Sequence, residues 1–429
     1  MSASRALLGS LVIALACAAA CRSAAPPAVV PPGLAAERPG PETFSFRLSK
    51  AKLRASGASD ALIDRIGANA FNYFRVLAEP FKHRTCESFR DLRWRLPSRA
   101  VHGDAHLEQF VVTDDDFGLA DFDNAGYGPA IVDLVRYAAS LHLACRELNG
   151  VCDPEQAVTA YFNAYREALD HPVDRTPPPV VTRMRARLGF EPEAWLQWAE
   201  DVMQPLGEAE EAKVRSTWAH FVALMRATTP ERPERFYEIV RLGPVEFGLG
   251  SALERRMLIR IAGPSDDPLD DMILEARTHS LPEFRGCVWR PTGGSLNVFM
   301  LTSLLAHPLP KVFGVLPNPD GDELPEIWIQ SWEPGYRELT LTDLRGQADI
   351  DALAADAGTQ LAGHFWTTIP EPLRGYERFT QLRAFELTEA RARTLARALA
   401  DEVVAEWRRF RDEPGAVPWR GDLARPGQK

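Results

Sequence analysis

The sequence predicts a mixed α/β (α+β) fold, helix-rich over most of its length, with a smaller β-rich segment late in the chain. Three observations predict it. Apolar residues recur at three- and four-residue spacing from Ser49 to Leu77 and over most of residues 154–240. Short apolar or alternating runs between turn residues fill 98–122 and return at about 236–335. Helical periodicity then resumes at Asp349–Phe365 and Thr388–Phe410.

In the first helical stretch Leu62, Ile63, Ile66, Ala70, Tyr73 and Phe74 carry the pattern. Phe110–Val112, an Asp-rich Thr113–Asp116 turn and Phe117–Ala120 read as a hairpin. Pro129 and Asp133 open a helix whose apolar face is Leu134, Tyr137, Leu141, Cys145 and Leu148. The region 154–240 is broken at Asp174–Pro179 and near Pro230. Strands are expected at Phe236–Val245, Arg255–Ala262, Asp271–Ala276 and Glu326–Trp332. In the last helix Leu395, Leu399, Val403, Trp407 and Phe410 form one apolar stripe, expected to be core.

The ends are not expected to join this fold. Arg5 is followed by an apolar run, Leu7 to Ala20, too short to span a bilayer comfortably. Residues 1–20 read as a signal peptide. They are similar to bacterial lipoprotein signals, which implies acylation at Cys21 or Cys17, although neither cysteine has leucine three positions before it. Residues 21–44 are Pro- and Ala-rich and read as a tether. The expected protein is an exported, membrane-anchored lipoprotein facing the periplasm or the cell exterior, touching the membrane only through that anchor. A mis-assigned start would make it cytoplasmic. The folded domain is expected over 45–412 and a loose tail over 413–429.

The formal net charge is −10, which argues against a nucleic-acid partner. Cys86, Cys145, Cys152 and Cys287 lie outside the leader. They are too sparse for a disulfide framework; Cys145 and Cys152 either pair or remain buried thiols.

The residues that carry chemistry cluster at 102–124, in HGDAHLEQ and LADFDNA. In an extended segment His102, Asp104 and His106 would share one face, as would Asp121 and Asp123. One reading is a metal-dependent hydrolase, with His102, Asp104 and His106 holding Fe(II) or Zn(II). Another is phosphoryl transfer, in which one carboxylate acts as base and others hold Mg²⁺ against a nucleotide.

HGDAHLEQ resembles the H-G-D-x-H-x-x-N loop of aminoglycoside and choline kinases, and LADFDNAGYGPAIVDL resembles their metal-binding segment. More closely, the chain resembles a bacterial kinase-like domain of unknown function, family 2252. That family has G-D-A-H-x-x-N-F, N-D-F-D-E and G-P-x-x-x-D-x-x-R, which fall here at Gly103–Phe110, Ala120–Asn124 and Gly128–Arg136. Weaker similarity covers Phe71–Arg75, Phe247–Ser251, Ile273–Arg277 and Gln360–His364.

The resemblance implies a two-lobed, protein-kinase-like fold with permuted motif order, its catalytic loop preceding the small β-rich lobe. It implies a phosphotransferase on a small-molecule hydroxyl or amine, using Mg²⁺ with ATP or another nucleotide. Asp104 would be the base, supported by His102. Asp121, Gln109 and Asp123 would hold the metal; Gly248, Gly250, Ser251 and Arg277 would cover the phosphates. His106 and Asp133 would brace the site. Asp104→Asn is expected to abolish transfer and leave the fold intact.

Two positions depart from the family. Gln109 stands where it has Asn, and Arg277, or Leu274 if the register slips, stands where it has Lys. An exported compartment also lacks a supply of ATP. These departures favour an alternative, an exported pseudokinase that binds a ligand or partner.

Overall fold

The computed structural model describes residues 45–187, 191–245, 256–278, 284–289, 301–302, 305, 310–316, 327–332 and 336–413. The leader, the tether and most of the tail lie outside the described residues, and so do Gly248, Gly250 and Ser251. The described residues form an α+β fold with several small antiparallel sheets.

The expected helix from Ser49 to Leu77 is three helices: α1 (Lys50–Ala55), α2 (Asp60–Gly67) and α3 (Ala70–Arg75). The breaks are N-caps. Ser59 and Asn69 accept from the backbone amides of Leu62 and Asn72, and so begin new helices that apolar periodicity alone would join. Next come α4 (Ala78–Ser88) and the sheets that carry the site. Helix α5 (Ile131–Glu147) follows.

Every residue of α5 from Ile131 to Cys145 is buried, where the sequence predicts one apolar face. Five helices enclose it: α3, α4, α6 (Pro154–Asp170), α10 (Gln347–Thr368) and α11 (Arg374–Asp412). Such a helix must satisfy or pair the polar groups it carries inward. Helices α6 and α10 run so close at Gly358 that a Cβ there would strike the Tyr161 carbonyl. In α11 Leu399, Val403 and Phe410 are buried, with Leu395 and Trp407 packed against the same core, as the stripe predicts.

The late β-rich segment forms a five-stranded antiparallel sheet in the order β10-β11-β7-β6-β5. Its strands are β5 (Ile239–Val245), β6 (Arg256–Ile261), β7 (Met272–Thr278), β10 (Phe313–Leu316) and β11 (Ile327–Trp332). Alternation buries both faces. Ile259 and Leu274 meet Trp218 and Phe221 of α9 (Glu208–Thr228), whereas Leu258 and Ile273 meet Trp195 and Leu196 of α8 (Pro192–Val202).

The segment does not stay together. Its hairpin of β8 (Phe284–Arg285) and β9 (Val288–Trp289) joins β4 (Gly126–Pro129) and β1 (Ser98–Val101) in a second sheet. A disulfide between Cys86 of α4 and Cys287 fixes that hairpin, with Cα atoms 5.5 Å apart. Cys145 and Cys152 form a second disulfide, with Cα atoms 5.3 Å apart. The third sheet is β12-β2-β3, from β2 (Phe110–Val112), β3 (Phe117–Leu119) and β12 (Arg337–Glu338). Here β2 and β3 are the expected hairpin. No described helix is long and apolar enough to cross a membrane.

Candidate functional site

Strand β1 delivers the chain into His102–His106 and β3 delivers it into Asp121–Asn124, so both acidic turns hang from sheet ends beside the start of α5. Asp133, in the first turn of α5, joins them. Its two carboxylate oxygens accept the backbone amides of His102 and Gly103, each at 2.8 Å. His102 Nε2 donates to the Ala120 carbonyl at 2.9 Å, and its Nδ1 faces the Asp104 amide at 3.4 Å. The imidazole therefore ties the first turn to the second through opposite ring nitrogens.

Gly103 has φ +80°, and a Cβ there would collide with the Asn124 carbonyl. This left-handed residue breaks the extended alternation that would align His102, Asp104 and His106. His106 instead lies buried edge-on to Phe71 and Phe74. Burial first, then Arg75 and Arg136, hold its imidazole well below the usual range, so it stays neutral. It packs and does not join His102 and Asp104 as a ligand.

Asp104 is buried and receives Nε of Arg136, which is 1% exposed. The Arg136 guanidinium lies over Phe74 at 4.1 Å and Phe81 at 5.2 Å. Burial raises the Asp104 carboxyl, and Arg136 with Lys82 only partly offsets that. Lys82 is itself buried, donating to Glu79 at 2.9 Å and to Asn124 Oδ1 at 3.1 Å.

Asp121 holds a left-handed backbone, φ 62° and ψ 59°, which aims it toward the five-stranded sheet. There Arg277, at the end of β7, donates to Asp121 Oδ1 at 2.8 Å and reaches Asp123 Oδ2 at 3.4 Å. Arg277 is 2% exposed, with Trp328 beside its guanidinium at 5.3 Å. Burial raises Asp121, but Arg277 and Arg256 outweigh it and leave the carboxyl at about 2. Glu275 faces Arg256 at 3.1 Å. Leu274, the slipped-register alternative, is buried against α9 and faces away.

Asp123 spends Oδ1 on the Asn124 amide and Oδ2 on Arg277. Among the described residues no three His, Cys, Asp or Glu side chains gather as metal ligands. The guanidinium of Arg277 already supplies positive charge between Asp121 and Asp123. Gln109 is buried in the turn before β2, its backbone carbonyl accepting from the Ala120 amide.

Residues 60–239 match the model of a family described as an uncharacterized protein conserved in bacteria, DUF2252. No curated protein and no solved structure matches the chain. The DUF2252 match contains Lys82, the HGDAH loop, the DFD turn, Asp133 and Arg136, whereas Arg277 lies beyond it.

Sequence reasoning missed Arg136, Lys82 and the Cys86–Cys287 pairing. Arg136 carried a signal, because three residues after Asp133 it shares that helix face. Lys82 had none, since its approach to Asn124 comes from the docking of α4.

Proposed function

We propose that this chain is an exported, kinase-like protein whose aspartate site binds a small ligand without a competent phosphotransfer centre, the pseudokinase reading. The observation that carries it is the pairing of Arg277 with both Asp121 and Asp123. A guanidinium there neutralises the carboxylates that phosphoryl transfer would need for its metal ions. The pairing of Asp104 with Arg136 supports the same reading, because it occupies a carboxylate oxygen that a base would turn to the acceptor hydroxyl. Export is supported by the disulfides, which take up all four cysteines outside the leader region and persist in oxidising compartments.

A second reading, an active phosphotransferase, is favoured by the loop itself. Asp133 and His102 hold Gly103 and Asp104 as a kinase-like catalytic loop requires. Thermal-shift titration with ATP, ADP and other nucleotides, with and without Mg²⁺, separates the two. Stabilisation follows RT ln(1 + [L]/Kd). The pseudokinase reading expects any shift to be independent of Mg²⁺, with no phosphate moved to a panel of small hydroxyl and amine acceptors. Transfer that requires Mg²⁺ and is lost in Asp104→Asn would overturn it.

A further inference from the structure

A cluster of exposed aromatic side chains lies away from the site, and it belongs to no core. On α11 Tyr376, Phe379, Arg383, Leu387 and Arg391 recur at three- and four-residue spacing and share one face. Tyr376 is 72% and Phe379 64% exposed, and Leu387 is also exposed. The 3₁₀ turn Arg90–Arg95 lies alongside this face. Asp91 meets Arg391 at 2.9 Å, Arg391 lies over Phe89, and Leu96 lines a small cleft with Ala384 and Thr388. That turn also carries Trp94, which is 87% exposed.

The surroundings of these rings are cationic. Arg93 stacks on Trp94 at 4.6 Å. Neither Arg93 nor Arg95 has a carboxylate partner among the described residues. Arg90, Arg383 and Arg391 each face one acid, Glu87, Glu386 and Asp91. With those three paired, the unpaired cations Arg93 and Arg95 flank Trp94 and make its surroundings basic on a chain whose net charge is −10.

We propose that this patch docks the domain onto an anionic phospholipid surface, a second membrane contact beyond any acyl anchor. Tryptophan and tyrosine favour the water–lipid boundary, where the ring is apolar and its polar atom stays wet. Arginine stems cover apolar surface while their heads meet lipid phosphates. The 24-residue stretch 21–44, at about 80 Å fully extended, keeps the patch within reach of the bilayer.

The test is vesicle co-sedimentation of the chain without residues 1–21, none of which enters the described fold. Phosphatidylglycerol-containing vesicles are compared with pure phosphatidylcholine at low and high salt. The expected result is binding to anionic vesicles that weakens with salt. Arg93→Glu/Arg383→Glu and, separately, Trp94→Ser/Phe379→Ser should each reduce it about tenfold or more, with melting temperature unchanged. Equal partitioning of wild type and both variants overturns the proposal. So does absence of binding to anionic vesicles, whether or not the wild type self-associates through the same residues.

Discussion

The Arg136 guanidinium donates to the Asp104 carboxylate in a pair that is buried on both sides. The central helix thus neutralises the aspartate that the sequence marks as the base, and that aspartate becomes part of the core's stability as well as its chemistry.

Removing one partner leaves the other charge uncompensated. Arg136→Leu should cost about 3–5 kcal/mol in urea unfolding. Asp104→Asn keeps an acceptor for Nε and removes a carboxylate whose ionised form burial disfavours, so it should lower stability far less than Arg136→Leu in the same measurement. The double variant Arg136→Leu/Asp104→Leu should recover much of the loss of Arg136→Leu.

Asp133 accepts two consecutive amides, and an asparagine can accept only one of them without turning its NH₂ toward the other. Asp133→Asn should cost about 1–3 kcal/mol. Amide hydrogen exchange at His102 and Gly103 should quicken by more than along α5, because the loss is local to the loop after β1.

Acid titration should show two opposite limbs. Burial raises Asp104, Asp133 and Glu108 above their ordinary values, so their ionised forms oppose folding. That penalty is relieved as pH falls through the raised values toward the unfolded ones. Asp121 runs the other way. Its carboxyl is held at about 2 against an ordinary 3.8, so its contribution is present above pH 3.8 and is lost as pH falls toward 2. Asp121→Asn should flatten the lower limb and Asp104→Asn should diminish the upper one, read as melting temperature against pH.

The two disulfides should differ in weight. Cys86 and Cys287 are 201 residues apart, and the chain-entropy relation assigns closure of such a loop about 5 kcal/mol. Cys145 and Cys152 are seven apart, which gives about 2.5 kcal/mol. Cys86→Ser/Cys287→Ser should lower the melting temperature more than Cys145→Ser/Cys152→Ser, and reduction of wild type should resemble the former.

What the sequence by itself determined is local. Periodicity placed β5, β6, β7, β11 and the Phe110–Ala120 hairpin, because a sheet with one or two buried faces writes its alternation into the chain, but it did not mark the short strands β8, β9 and β10. It placed α10 within a few residues and the core stripe of α11, although that helix begins at Arg374, well before the expected Thr388. The HGDAH and DFD turns were legible as one site, with Asp133 and His102 as its braces, because those contacts join residues only about thirty positions apart.

The tertiary structure decided what neutralises the acids. Asp121 and Asp123 meet Arg277 from more than 150 residues away, on a strand whose register sets which side chain reaches them. Asp104 meets Arg136 because five helices close around α5 and leave its charges no water. A left-handed Gly103 turned His106 into the aromatic core and dispersed the expected ligand set. Charge type and spacing can be read along a chain. Which opposite charge lies within 3 Å depends on packing between distant segments, and here that packing puts arginines where the sequence invites a metal.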